Sequence, residues 1–282
     1  MVVGPQRAIV SLPMPHEIDR RILICLLGDF RVMKAGQLVA VRSGGKTEAL
    51  LCLLALRCTY GTSRDTLLRA LWPDCDDVAL ARQALDSLVH SVHRLLGDGT
   101  SGCAPVLHAN GCYRLNVEAG VDVDVARFDA LAREGDRQAR SGDHAAAATF
   151  YNQAVTLYRG HLYSVPVYID DLCAGTDMHL VVERERLRAL YLRLLTRLAE
   201  YHYGEGDYTT SEEYALRLLA NDPCSEDAHR LIMRCCVRRG ERAQALHQYR
   251  LCQSILRHQF DATPEPATVA LFDRVRGDPG SI

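Results

Sequence analysis

Residues 206–241 read GDYTTSEEYALRLLANDPCSEDAHRLIMRCCVRRGE. A glycine followed by an acid opens the stretch at Gly206-Asp207 and closes it at Gly240-Glu241, 34 residues further on. Between them, Asp222-Pro223 falls where a helix must stop, because proline lacks an N–H and restricts the residue before it. The same glycine-acid pair occurs earlier as Gly142-Asp143. Five residues beyond the three glycines lie Ala147, Ser211 and Ala245; nine beyond lie Tyr151, Ala215 and Tyr249; twelve beyond lie Ala154, Leu218 and Cys252. Small or apolar residues at these offsets define the buried face of a helix that follows each glycine turn.

A 34-residue spacing is the period of a tetratricopeptide repeat. Working outward, helices are expected to pair around each glycine: 125–141 with 144–159, 177–203 with 208–220, and 225–238 with 241–258, with a last helix near Pro266–Val275. One such pair cannot bury its apolar face alone, whereas stacked pairs build a core and leave a groove, which makes them interaction surfaces more often than reaction centres. Residues 160–176, with Tyr163, Pro166, Tyr168 and Asp170-Asp171, interrupt the first two pairs and are expected to line one end of the array. Val121-Asp122-Val123-Asp124 reads as an alternating connector whose Asp124 caps the next helix.

The front half has a different grammar. Residues 1–20, with Pro5, Pro13 and Pro15, read as a poorly ordered lead. Ile22–Leu27 and Gly28–Val32 read as strand, and a turn at Lys34-Ala35-Gly36 leads to a second short strand near Leu38–Val41. A leucine-rich helix follows over Thr47–Cys58, then Asp65–Leu71 capped by Thr62 or Ser63 and stopped at Trp72-Pro73, then Val78–Leu96 ending at Gly97. Val106–His108 and Cys112–Val117 form a hairpin turning at Asn110-Gly111. Strands, three helices and a terminal hairpin, in that order, describe a winged helix-turn-helix with an added N-terminal sheet.

In the third helix, Leu85, Leu88, Val89, Val92, Leu95 and Leu96 recur at helical spacing as the core stripe. Gln83, Ser87, His90, Ser91 and Arg94 occupy the opposite face, the hydrogen-bonding and mildly basic types that read a major groove and its phosphates. Asp86 lies near the same face and would repel phosphate, although it can accept from a cytosine amine. The hairpin supplies Arg114 as a wing contact, and His93 is a further candidate for phosphate, together with His90. Charged imidazoles there would strengthen DNA binding as the pH falls.

Composition narrows the function. The 282 residues suggest two domains, and 48% hydrophobic with 24% charged residues is ordinary for globular chains. Residues 1–116 carry 13 basic and 10 acidic side chains and the remainder 20 and 25, which fits a nucleic-acid reader in front of a protein-facing module. No run approaches the about 20 apolar residues of a membrane span, and no export signal is apparent, so a cytoplasmic location without membrane partners is expected. Eleven cysteines include no Cys-x-x-Cys pair, and His90, His93, Cys103, His108 and Cys112 match no ligand spacing; no metal is expected. Gly44-Gly45-Lys46-Thr47 resembles the end of a phosphate-binding loop, but Ala40 stands where the motif needs its first glycine. No Ser/His/Asp grouping, nucleophile elbow or paired catalytic carboxylate appears, so neither enzymatic activity nor a cofactor is expected.

The chain resembles the SARP-type bacterial transcriptional activators, in which an OmpR-type winged-helix domain precedes a bacterial transcriptional activator domain. The front-half marks are Leu26-Leu27-Gly28-Asp29-Phe30-Arg31-Val32, Ala49–Leu56, Leu71-Trp72-Pro73-Asp74, Val92-His93-Arg94-Leu95-Leu96 and Gly111-Cys112-Tyr113-Arg114-Leu115. In the back half they are Val123-Asp124-Val125-Ala126-Arg127-Phe128, Tyr158-Arg159-Gly160, Glu183-Arg184-Glu185-Arg186-Leu187, Asp222-Pro223-Cys224-Ser225-Glu226, Gly240-Glu241-Arg242-Ala243-Gln244-Ala245-Leu246 and Pro264-Glu265-Pro266. The resemblance implies a mainly α fold with small β-sheets: a lead at 1–20, a winged-helix DNA-binding domain at 21–117, a tetratricopeptide-like activator domain at 118–277 and a tail at 278–282. It also implies an activator that binds direct repeats in double-stranded promoter DNA beside another protomer and recruits RNA polymerase holoenzyme. A departure stands at His90-Ser91-Val92-His93-Arg94, where the family usually has Ser-Arg-Leu-Arg-Arg, so two arginine contacts are replaced by Ser and His. The alternative is a protein- or ligand-binding adaptor that uses the array while the winged helix has stopped reading DNA.

Overall fold

The computed structural model describes residues 22–58, 61–97, 102–163, 176–278 and 280. The expected lead at 1–20 lies outside them, as do Pro166, Tyr168, Asp170 and Asp171 of the interrupting segment. The chain divides into two compact units: 1–127 with 162–180, and 128–161 with 181–282.

In the first unit, β1 (Ile22–Cys25), β2 (Arg31–Lys34) and β3 (Gln37–Val39) form an antiparallel meander with Ile24 opposite Val32 and Val32 opposite Val39. The β2–β3 turn is tight because Ala35 (φ 51°) and Gly36 (φ 76°) both accept the left-handed conformation that a two-residue hairpin of this twist demands. The strand expected over Gly28–Val32 begins only at Arg31, after Gly28 turns the chain at φ 105°. The helices α1 (Lys46–Leu56), α2 (Arg64–Leu71) and α3 (Val78–Leu96) follow. Leucines cover every side of α1, and Leu50, Leu51 and Leu54 are completely inaccessible, so α1 is the central element of the core. Each such leucine contributes about 2 kcal/mol through burial. β4 (Thr62–Ser63), β5 (Val106–Ala109) and β6 (Cys112–Leu115) make a second sheet in the order β4-β6-β5. Its hairpin turns on Asn110 (φ 53°) and Gly111 (φ 74°).

Two readings at the unit's end need correction. Val121–Val123 is no mere connector: it is β7, parallel to β1, with Ile22 opposite Val121 and Ile24 opposite Val123. Packing places this segment with the first unit. The segment expected to line an end of the array also behaves otherwise where it is described. Leu162 bridges Leu27, and Tyr163 N–H donates to the Leu26 carbonyl at 2.7 Å, both within the first unit. The Tyr163 hydroxyl meets the buried Glu48 carboxylate of α1.

The second unit is helical: α4 (Asp124–Arg140, from Phe128 onward), α5 (His144–Leu157), α6 (Thr176–Gly204, from Val181 onward), α7 (Tyr208–Asn221), α8 (Glu226–Arg238), α9 (Arg242–Phe260) and α10 (Pro266–Gly277). These agree closely with the expected pairs. Gly142, Gly206 and Gly240 each turn the chain at positive φ (87°, 80° and 79°), where a side chain would be strained. The acid after each glycine has a local task. Asp143 caps α5 through Ala146 N–H at 2.9 Å and Asp207 caps α7 through Thr210 N–H at 3.1 Å. Glu241, one methylene longer, makes no cap bond and binds Arg239 at 2.8 Å instead. All nine residues at the repeated offsets are buried, Ser211 included, whose hydroxyl donates to the Ala199 carbonyl at 2.7 Å.

Gly135 of α4 carries a packing constraint, since a Cβ there would run into the Tyr151 ring. That ring is fixed at its hydroxyl by Asp136 (2.8 Å) and Arg197 (2.5 Å). Alanine in place of an interior helical glycine ordinarily stabilises by about 1 kcal/mol. Here the immobile ring makes overpacking win, and Gly135→Ala is expected to destabilise the protein by about 1–3 kcal/mol in a thermal melt. A raised melting temperature would show that the ring yields.

Candidate nucleic-acid interface

The third helix is bounded by its own sequence. Asp77 accepts from Ala79 and Leu80 N–H (2.9 and 3.1 Å), and Gly97 ends the helix with φ 71° while donating to the His93 carbonyl at 2.8 Å. Ala81, Leu85, Val92 and Leu96 are buried; Leu88, Val89 and Leu95, expected in the core stripe, are half-buried at its flanks. Gln83, Ser87, His90, Ser91 and Arg94 are all exposed and lie on one face at helical spacing. The Ser91 hydroxyl donates to the Ser87 carbonyl at 2.9 Å, so in this conformation its proton is used within the helix.

His93 leaves this row. It is half-buried, and its Nε2 lies 3.1 Å from the Val106 carbonyl of β5, a position for donation by the Nε2–H tautomer. The ring thus fastens α3 to the hairpin, and His90 is the imidazole left on the outer face. On β6, Tyr113 and Leu115 face inward and Arg114 between them is exposed, as strand alternation requires.

Asp86 also proves to have a partner. Its carboxylate accepts from the Tyr113 hydroxyl at 3.2 Å and lies 3.6 Å from Arg64 of α2, whose guanidinium donates to the same hydroxyl at 3.0 Å. His108 stacks on the Tyr113 ring at 4.2 Å. Burial pushes the Tyr113 phenol above its ordinary value, and hydrogen bonding to Tyr113 raises Arg64, so both keep their protons. Arg64 N–H additionally donates to the Gly111 carbonyl at 2.9 Å. The hairpin is therefore held by α2 through Arg64 and by α3 through Asp86 and His93. Sequence reasoning missed Arg64; a basic residue in a helix's first turn, where the dipole disfavours it, was the available signal.

Lys46 of the glycine-rich turn is occupied. Its ammonium donates to the Leu71 carbonyl and sits 4.8 Å from the centre of the Trp72 ring. That environment joins α1 to the end of α2. Among the described residues, no group of three or more His, Cys, Asp or Glu side chains is placed to hold a metal ion, and no helix is long and apolar enough to cross a membrane.

No curated protein matches the chain. Among solved structures, Mycobacterium tuberculosis EmbR, in complex with a low-affinity phosphopeptide, aligns over 91% of this chain with a TM-score of 0.67 and 23% identity. The match covers 65% of that structure, so this chain spans about two thirds of its length and shares its fold. The tetratricopeptide-containing domain of a Plasmodium falciparum FK506-binding protein aligns with a TM-score of 0.37 and 14% identity, over 56% of this chain and 91% of its own. The yeast Sti1 TPR2AB domain in complex with pHSP90 reaches 0.28 and 11%, over 74% and 90%. At such scores these two do not bear on the fold. The family described as bacterial transcriptional activator domain matches residues 123–276, more than half of the chain, and the protein belongs to this SARP-type family of transcription regulators.

Proposed function

We propose that the protein is a sequence-specific DNA-binding transcriptional activator. In this reading the first unit reads direct repeats in double-stranded promoter DNA, side by side with a second protomer, and exposed faces of both units recruit RNA polymerase holoenzyme. The supporting observation is the exposed row Gln83, Ser87, His90, Ser91 and Arg94 on a helix fastened to a hairpin that carries Arg114. Asp86, the acid on this helix least compatible with phosphate, is paired with Arg64 at 3.6 Å and accepts from the Tyr113 hydroxyl. Amide and hydroxyl groups on the row suit base edges, and the arginines suit phosphates. His93 acts by positioning the hairpin and not by touching DNA.

The test is selection of genomic fragments by the purified full chain, followed by gel shifts across a salt series. A small set of fragments sharing a repeated motif is expected, with affinity falling linearly in log–log coordinates as salt rises. Recovery of fragments without a shared sequence would overturn the reading in favour of an adaptor.

A further inference from the structure

We infer that the outer face of α9 is a second DNA-contacting surface, which grips the phosphate backbone of duplex DNA without reading its sequence. The inference goes beyond the reading of α3 and does not rest on it. The 19 residues of α9 hold three arginines, two histidines and four glutamines, and no Asp or Glu. The half of the chain that carries this helix is acidic, with 25 acidic side chains against 20 basic ones in residues 117–282. Ala245, Tyr249, Cys252 and Leu256 bury one side of α9. Helical spacing puts His247, Arg250, Leu251, Ser254, Arg257 and His258 on the opposite side, and all six are exposed. From His247 to His258 the row runs about 16 Å, at about 1.5 Å per residue.

The cations of this row are uncommitted. Elsewhere in the unit arginines are matched to carboxylates: Arg186 to Asp129 and Glu183, Arg197 to Asp136, Arg230 to Asp227 and Glu265, and Arg239 to Glu212 and Glu241. Arg242, at the start of α9, is occupied by the Val275 carbonyl at 2.9 Å and by the Arg276 carbonyl. Arg250, Arg257 and both histidines make no side-chain hydrogen bond or ion pair among the described residues. Glu241, before the helix, binds Arg239 at 2.8 Å, and Asp273 of α10 lies 3.3 Å from Arg276. Asp261 is exposed, but it follows the helix and lies past the end of the row. The face thus presents hydrogen-bond donors and positive charge around a single apolar side chain, Leu251. A stable protein interface needs an apolar centre to bury, which this face lacks. A sugar-phosphate backbone offers charge and acceptors alone, and planar guanidinium forks fit it. Duplex DNA is the polyanion on which a transcription regulator acts, and the family match makes the chain one.

Fluorescence anisotropy of a labelled duplex of random sequence, titrated with the full chain across a salt series, tests this. Arg250→Ala combined with Arg257→Ala is expected to weaken binding about fiftyfold near 0.1 M salt. It should also lower the slope of log K against log salt by about 1.8, at about 0.9 of a counterion per phosphate contact. Lysine at both positions should keep most of the slope, and glutamate at both should weaken binding beyond alanine. Because both side chains are exposed, these variants are expected to melt like the wild type. The same drop in slope is expected in a chain that also carries Arg94→Ala and Arg114→Ala, which separates failure here from failure of the α3 reading. An unchanged slope in the alanine pair or wild-type binding in the glutamate pair would overturn the proposal. So would labelled poly-L-glutamate bound as tightly as the duplex and weakened equally by the alanine pair, which would make the face a dock for an acidic protein.

Discussion

Replacing both Arg94 and Arg114 with alanine is expected to weaken binding of a selected genomic fragment about fifty- to a hundredfold near 0.1 M salt and to lower the slope of log K against log salt by about 1.8. Each phosphate contact releases about 0.9 of a counterion, so two arginines carry the whole effect if both meet phosphates. Both side chains are exposed and make no hydrogen bond or ion pair among the described residues, so the fold should be unaffected. The measurement separates two chemistries. If Arg94 instead grips a guanine edge, the slope changes little and discrimination at one base position collapses by about 1–3 kcal/mol. If neither affinity nor slope moves, this face is not the DNA surface.

The array was legible because its signals are local. A glycine at positive φ, an acid one residue on and small residues at fixed offsets need no tertiary information, and Asp222-Pro223 ended α7 where expected. The hairpins were legible for the same reason, since Asn110-Gly111 dictates its turn. What could not be read were pairings between distant segments. Val121–Val123 alternates like any short strand or connector, and only the edge offered by β1, about a hundred residues earlier, makes it a parallel strand. Leu162 and Tyr163 likewise carry no mark of their contacts with Leu26, Leu27 and Glu48.

The geometry of the candidate interface was half legible. Helical spacing placed Gln83, Ser87, His90, Ser91 and Arg94 on one exposed face, where they are. Spacing alone cannot say that His93, a few residues along, turns its ring to a carbonyl of the hairpin. Nor does it show that Asp86, which reads as an obstacle to phosphate, is bound by Arg64 and Tyr113. The substitutions of arginine by Ser91 and His93 therefore differ in kind: one leaves a hydroxyl on the outer face, and the other moves a side chain into the support of the hairpin.

Asp124→Ala is expected to cost the first unit about 2–5 kcal/mol of stability, the largest effect of any single substitution considered. The sequence reads Asp124 as a helix cap, but the side chain reaches back to the end of β1, where its oxygens accept from Leu26 N–H at 2.8 and 2.9 Å and from Leu27 N–H at 2.8 Å. Leu26 and Leu27 are buried, so removing the carboxylate leaves backbone donors that no water reaches. Trp72, the one tryptophan of the chain, lies in this unit, and its fluorescence during urea unfolding reports the loss directly. The same carboxyl confers a pH dependence. Burial raises its pKa from 3.8 to about 6, against the opposing pull of the Leu27, Leu26 and Val125 amides and of Arg31. The folded protein then holds the proton more tightly than the unfolded chain. Its contribution to stability is complete below about pH 4 and is lost as the pH rises through about 6, by up to about 3 kcal/mol. Asp124→Asn cannot titrate, so the stability of the wild type relative to this variant should decline across that interval and level off above it. A difference that stays flat would mean that the carboxyl keeps its ordinary pKa despite burial, and an unshifted urea midpoint in Asp124→Ala would mean that the two amides find other acceptors.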